Sequence, residues 1–192
     1  MKKTILFFLI VFSVSAFGQS TRKIVRDFDG DLKKDTVRID SDKKVLVCRL
    51  SAQKYKKTES GEIYRLNFGN TLVPLKNGFE FWNDFGRSGF QCVFEYSQKL
   101  KKFQLVKMRR IDDDLRHDYG EKAKGKSSVN LLTGEYAGDF YEAYQKKLRK
   151  MPTIKAKMNF PETYLETFSD ILCFEYEKKC VALYEKNKTK DK

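Results

Sequence analysis

Counted from Asp27, four aspartates stand at positions 1, 3, 5 and 9 of the stretch DFDGDLKKD: Asp27, Asp29, Asp31 and Asp35. Hard carboxylate oxygens at this spacing can wrap one Ca²⁺, with the backbone carbonyl of Lys33 at position 7 as a further ligand. Carboxylates crowded so closely repel one another unless a cation lies between them. The rest of the chain is rich in Lys and Arg, which makes the acidic run stand out. Two departures point to modest affinity. The sharp-turn glycine of position 6 is replaced by Leu32, with Gly30 at position 4, and position 12 is Arg38, which cannot supply a bidentate acid. The competing reading is a solvated acidic turn whose Asp side chains cap their own backbone.

Other chemistry is sparse. Asp112, Asp113 and Asp114 precede His117 and Asp118, and a general base at His117 is conceivable on paper. No nucleophile motif accompanies it, so a solvated loop is the better expectation. With one histidine in 192 residues, multi-histidine metal sites and histidine relays have nothing to be built from. Ser88 sits in GRSG rather than GxSxG, and no phosphate loop or dinucleotide fingerprint occurs. No catalytic residue is therefore assigned and the chain reads as non-enzymatic. For recognition, Phe81, Trp82, Phe85 and Arg87 form the best candidate surface, since aromatics and Arg dominate binding hot spots and stack on sugars. Core packing is nevertheless the favoured reading for these aromatics.

The elements that must carry these residues read mostly as strands. Thr36 to Ile39 and Val45 to Leu50 flank a polar connection, and Gln91 to Tyr96 answers Phe103 to Met108 across Ser97 to Lys102. Val129 to Leu132 enters a turn at Thr133-Gly134, and Phe140 to Tyr144 alternates weakly enough to admit a short helix. Thr153 to Met158 alternates like a strand, Pro161 starts a short helix through Phe168, and Ile171 to Tyr176 pairs with Cys180 to Tyr184 in a last hairpin. The expectation is a single mostly β domain of antiparallel hairpins, sandwich or propeller-like, with minor helix. It spans 19–185, and 186–192 form a basic disordered tail.

Residues 1–18 read as a signal peptide. Lys2 and Lys3 open it, Ile5 to Phe12 is apolar, and Ala16-Phe17-Gly18 is a small-x-small cleavage site. The apolar run is shorter than the ~20 residues that span a bilayer, so no membrane span is expected. The expected location is periplasmic or secreted. Lys and Arg number 39 against 26 Asp and Glu, a formal charge of +13. In an exported protein that balance points away from nucleic acid and towards a protein or an anionic glycan of the cell envelope, with the chain a monomer. Distributed lysines on a solvated surface are the blander reading. Cys48, Cys92, Cys173 and Cys180 are even in number, which fits a disulfide-forming compartment and leaves three pairings open; buried free thiols are the alternative.

At DFDGDLKKD the chain resembles the DxDGDxxxD loop of FG-GAP or VCBS-type repeats. VFEYSQKLKKFQLVKM (Val93 to Met108) and SSVNLLTGEY (Ser127 to Tyr136) are similar to secreted or periplasmic proteins of Bacteroidetes type. These in turn look like distant relatives of a periplasmic immunity protein that inhibits a lysozyme-like effector. The resemblance implies a β-rich, non-catalytic, calcium-holding domain, and as an alternative function an inhibitor or immunity protein acting on a cell-wall hydrolase.

Overall fold

The computed structural model describes residues 22–112, 124–144 and 147–188. The leader expectation, together with Asp113, Asp114, His117 and Asp118, lies outside them. Twelve strands are seen among the described residues. In chain order they are β1 (Lys23–Arg26), β2 (Asp35–Asp40), β3 (Val45–Arg49), β4 (Lys57–Glu59), β5 (Thr71–Leu75), β6 (Gly78–Asp84), β7 (Ser88–Ser97), β8 (Lys102–Asp112), β9 (Lys124–Asn130), β10 (Glu135–Tyr144), β11 (Lys147–Lys150) and β12 (Ile154–Lys157). Helix α1 (Ile171–Asn187) follows.

All pairings are antiparallel. β1-β2-β3-β4 make a small sheet, and β11-β10-β9-β8-β7-β6-β5 make a long one to which β12 adds beside β10. Where short turns join alternating segments, as between β5 and β6, β6 and β7, and β7 and β8, a meander follows, because neighbours in sequence pair with least loop-closure cost. In the small sheet Ile24, Val37 and Cys48 face one another across three strands and are buried. In the long sheet Phe79, Phe81, Phe90, Phe94, Phe103 and Met108 point to the same interior. A register shift between Val93 and Phe94 re-aims the end of β7, as an extra residue in a ladder does.

One core serves both sheets and the helix. Phe28, from the acidic loop, meets Phe103 at 5.1 Å between ring centroids and Phe79 at 6.4 Å. Farther along the same face α1 takes over: Tyr176 lies 6.4 Å from Tyr136 and Tyr184 lies 5.6 Å from Phe140. The other face of the long sheet is open along β8 to β12, where Lys124, Lys126 and Lys155 are exposed. This is the expected single mostly β, antiparallel domain, with a sandwich-like core.

The C-terminal part differs from expectation. Ile171 to Tyr184 forms no hairpin. Cys173, Tyr176, Cys180 and Tyr184 recur at intervals of 3, 4 and 4, and the backbone coils to place all four on one buried stripe. The helix extends through Asn187, so Lys186 and Asn187 belong to it rather than to a tail. Phe140 to Tyr144 is strand, because β9 on one side and β11 on the other supply ladders. After Pro161 only a 3₁₀ turn forms, Leu165–Thr167. Among the described residues no helix is long and apolar enough to cross a membrane.

Candidate metal centre

The acidic loop connects β1 to β2. Phe28 is buried in the aromatic core and anchors it, while Asp27 and Asp29 on either side converge with one another. Asp35, first residue of β2, returns to the same place with no exposed surface. One carboxylate oxygen from each of Asp27, Asp29 and Asp35 lies within 4.8 Å of the others. Asp31 is not part of this group. It sits at the rim, its Oδ1 accepting from the Lys33 amide at 2.8 Å and its Oδ2 facing Lys33 Nζ at 3.5 Å. That amide holds the Asp31 carboxyl below its ordinary range. The Lys33 side chain is thus placed as a counter-charge at the rim.

Backbone donors organise the rest. Asp27 accepts from Gly30 N at 2.6 Å and Leu32 N at 2.9 Å. Asp29 accepts from Asp31 N at 3.2 Å, Ser51 Oγ at 3.2 Å and Ala52 N at 3.1 Å. Asp35 accepts from Phe28 N at 2.8 Å and Ser51 N at 2.7 Å. The capping geometry expected of an acidic turn is therefore present. It does not exclude a cation: Asp29 Oδ2 accepts from both Ser51 Oγ and Ala52 N, but each of the other five oxygens of Asp27, Asp29 and Asp35 accepts one of these bonds and keeps a second lone pair. Gly30 (φ 83°) and Leu32 (φ 68°) both adopt left-handed conformations. Position 6 thus takes the turn conformation without glycine, at a steric cost that a side chain pays and hydrogen does not. Beyond the loop, Gln98 Nε2 donates to the Asp29 carbonyl at 2.7 Å. The Tyr96 hydroxyl is buried without a hydrogen-bond partner, and burial followed by the charges of Asp29 and Asp35 raises its pKa.

The four aromatic and Arg candidates separate. Phe81 is 2% exposed and packs edge-on to Phe168, so the surface role expected for it is incorrect: strand alternation turns it inward beside Leu72. Phe85 is half-buried against Phe90. Arg87 is exposed at the β6–β7 turn. Trp82 alone lies on the open face, its Nε1 donating to Glu80 Oε2 at 2.7 Å, while Arg109 Nη1 donates to Glu80 Oε1 at 2.6 Å. Glu80 carries no signal in the sequence, and Arg109 reads there only as one of the distributed basic residues of a solvated surface; their partnership requires β6 and β8 to flank β7 on a common face.

Asp112 is no base. It is 2% exposed and fixed to Arg110, whose Nε and Nη2 donate to it at 2.5 and 2.8 Å. All four cysteines are buried, and Cys92 Sγ lies 3.6 Å from Cys173 Sγ. Their mutual hydrogen bond, then burial, raises the Cys173 pKa, and burial raises that of Cys48. No protein-family model, curated protein or solved structure matches the chain.

Proposed function

We propose that the chain is an exported, non-enzymatic β domain that holds one Ca²⁺ at Asp27, Asp29 and Asp35 and binds a macromolecular partner of the cell envelope, a protein or an anionic glycan. The observation that carries the ion is the convergence of these three carboxylates within 4.8 Å, at the spacing of a calcium loop. All-oxygen, acidic donors suit a hard cation better than zinc. Asp31 and the Lys33 carbonyl would complete the shell from the rim. The role of the ion is structural: it neutralises carboxylates that join the start of β2 to the turn after β3, where Ser51 and Ala52 donate.

Thermal melts of the mature chain in millimolar calcium and in chelator test the site. A ligand that binds only the native state raises the midpoint, and by about 2.7 kcal/mol of added stability at a hundredfold excess over Kd. Identical melts would remove the ion. An Asp27→Asn variant should abolish the calcium-dependent difference while still folding.

A second reading, inhibition of a lysozyme-like hydrolase, draws on exposed Arg87 at the tip of the β6–β7 hairpin, where a side chain can enter a glycan-binding cleft. It predicts that the mature chain slows such an enzyme and that Arg87→Ala relieves the inhibition. No slowing at micromolar concentration removes this reading.

A further inference from the structure

The open face of the long sheet carries a row of side chains that runs across six strands. The registers place Trp82 opposite Gln91, Gln91 opposite Arg109, Arg109 opposite Ser128, Ser128 opposite Ala137, and Ala137 opposite Lys155. At the ~4.8 Å inter-strand spacing the row is roughly 24 Å long. Its middle is low, because Ser128 and Ala137 are small, and they line two adjoining depressions. One depression is walled by Arg109, Lys126 and Asp139, the other by Lys107, Glu135 and Lys155. Gln91 and Ile111 continue the first depression into a third that reaches Trp82. The result is one continuous trough.

Its chemistry is specific to this face. Neighbouring arginines are split by strand alternation: Arg110 turns inward to its pairing with Asp112 and Glu177, while Arg109 turns out. Glu80, 6% exposed, holds both the Trp82 indole and the Arg109 guanidinium. Lys107, Lys124, Lys126 and Lys157 flank the row on β8, β9 and β12. The outward carboxylates lining the trough are Asp84, Glu135 and Asp139, besides Glu80 beneath Trp82 and Arg109. The exposed apolar side chains of this face are Ile111, at 40%, Leu148 on β11, at 47%, and parts of the rings of Trp82 and Tyr141; they are set among Lys124, Lys126 and Lys150 rather than gathered into the apolar centre of a protein interface. Cations alternating with an amide and hydroxyl, beside one indole, instead match a chain of sugars carrying acidic groups.

We propose that this trough binds an anionic polysaccharide, lying across the strands with its carboxylate or sulfate groups on Arg109, Lys107, Lys126 and Lys155 and a sugar ring against Trp82. The inference rests on the reading of the chain as a binding domain and names the partner class. Trp82 is the single tryptophan, so its emission reports occupancy of the trough directly.

The test is titration of the mature chain, in calcium, with polygalacturonate, heparin and neutral dextran, followed by Trp82 emission and calorimetry. Binding to polygalacturonate or heparin with a change in emission, weakened by salt, and none to dextran is the expected result; which of the two binds more tightly separates carboxylate from sulfate. The triple variant Lys107→Glu, Lys126→Glu, Lys155→Glu should lose affinity by about tenfold or more with its melting midpoint retained. Lys23→Glu, Lys56→Glu, Lys178→Glu makes the same change in net charge on exposed sites elsewhere and should retain most of it. Equal losses in the two variants would overturn the proposal, as net charge alone would then explain binding. So would tighter binding to single-stranded DNA or to phosphatidylglycerol vesicles than to either polysaccharide. If no polysaccharide binds but an envelope protein does, the glycan assignment fails while the binding-domain reading stands.

Discussion

Asp35 has no exposed surface, and its two carboxylate oxygens accept the amides of Phe28 and Ser51 at 2.8 and 2.7 Å. Asp35→Ala leaves two backbone donors without partners, so urea unfolding should show a loss of about 2–4 kcal/mol even without calcium. Leu32 offers the opposite case. It is 93% exposed and left-handed, so Leu32→Gly forfeits almost no burial and removes a steric cost. The same measurement should show it neutral to about 1 kcal/mol more stable. Acid acts on the loop as well. The Lys33 amide lowers the Asp31 pKa and the Lys43 amide lowers that of Asp40, both from an ordinary value of 3.8. A folded-state value below the unfolded one gives stabilisation that is complete above the unfolded value and is lost as pH falls through the folded one. Midpoints should therefore be steady between about pH 5 and 8 and decline below pH 4.

At the scale of elements, Cys92 on β7 and Cys173 on α1 face each other at 3.6 Å, whereas Cys48 and Cys180 have no cysteine partner among the described residues. Refolding the reduced chain in a buffer of glutathione and glutathione disulfide should therefore yield the Cys92–Cys173 disulfide, each glutathione disulfide being reduced to two glutathiones. Peptide mapping should find Cys48 and Cys180 still as thiols, alkylated only in denaturant; a different linkage would refute the arrangement of α1 on the sheet. The β6–β7 pairing has its own sensitive point. A Cβ built on Gly78 would stand 1.9 Å from the Phe94 carbonyl oxygen, which is backbone and cannot rotate away. Gly78→Ala should cost about 3 kcal/mol, read as a lower urea midpoint. Strands were legible in the sequence wherever apolar alternation met a polar turn, as in Gln91 to Tyr96 with Phe103 to Met108. The helix was not. In Ile171 to Tyr184 apolar residues outnumber what one face needs, so a period of two fits nearly as well as 3.6 until packing selects the stripe of Cys173, Tyr176, Cys180 and Tyr184.

Across the whole molecule, the aromatic cluster of Phe28, Phe79 and Phe103 joins the small sheet to the long one, and the contacts of Tyr176 and Tyr184 join α1 to the same core. Neither sheet has an interior of its own. Unfolding followed by Trp82 emission and by far-ultraviolet circular dichroism should accordingly coincide in a single transition, and Asp35→Ala should shift both curves together. Two separated transitions would mean that the small sheet and its acidic loop fold independently.

The sequence by itself determined the local features: the acidic loop at its calcium spacing, the paired strands, the excess of positive charge and the poverty of catalytic motifs. Each is written in residues close enough along the chain for type and interval to suffice. Tertiary structure decided which side chains meet. It brought Asp35 to Asp27 and Asp29 while leaving Asp31 at the rim, sent Phe81 to the core and Trp82 to the open face, and set Cys92 against Cys173 across 81 residues of chain. Alternation in a strand tells that neighbours point to opposite faces, but not which face will be covered. That choice depends on where α1 and the small sheet come to rest, and only then do Trp82, Arg109 and Lys155, from three strands distant in sequence, become one surface.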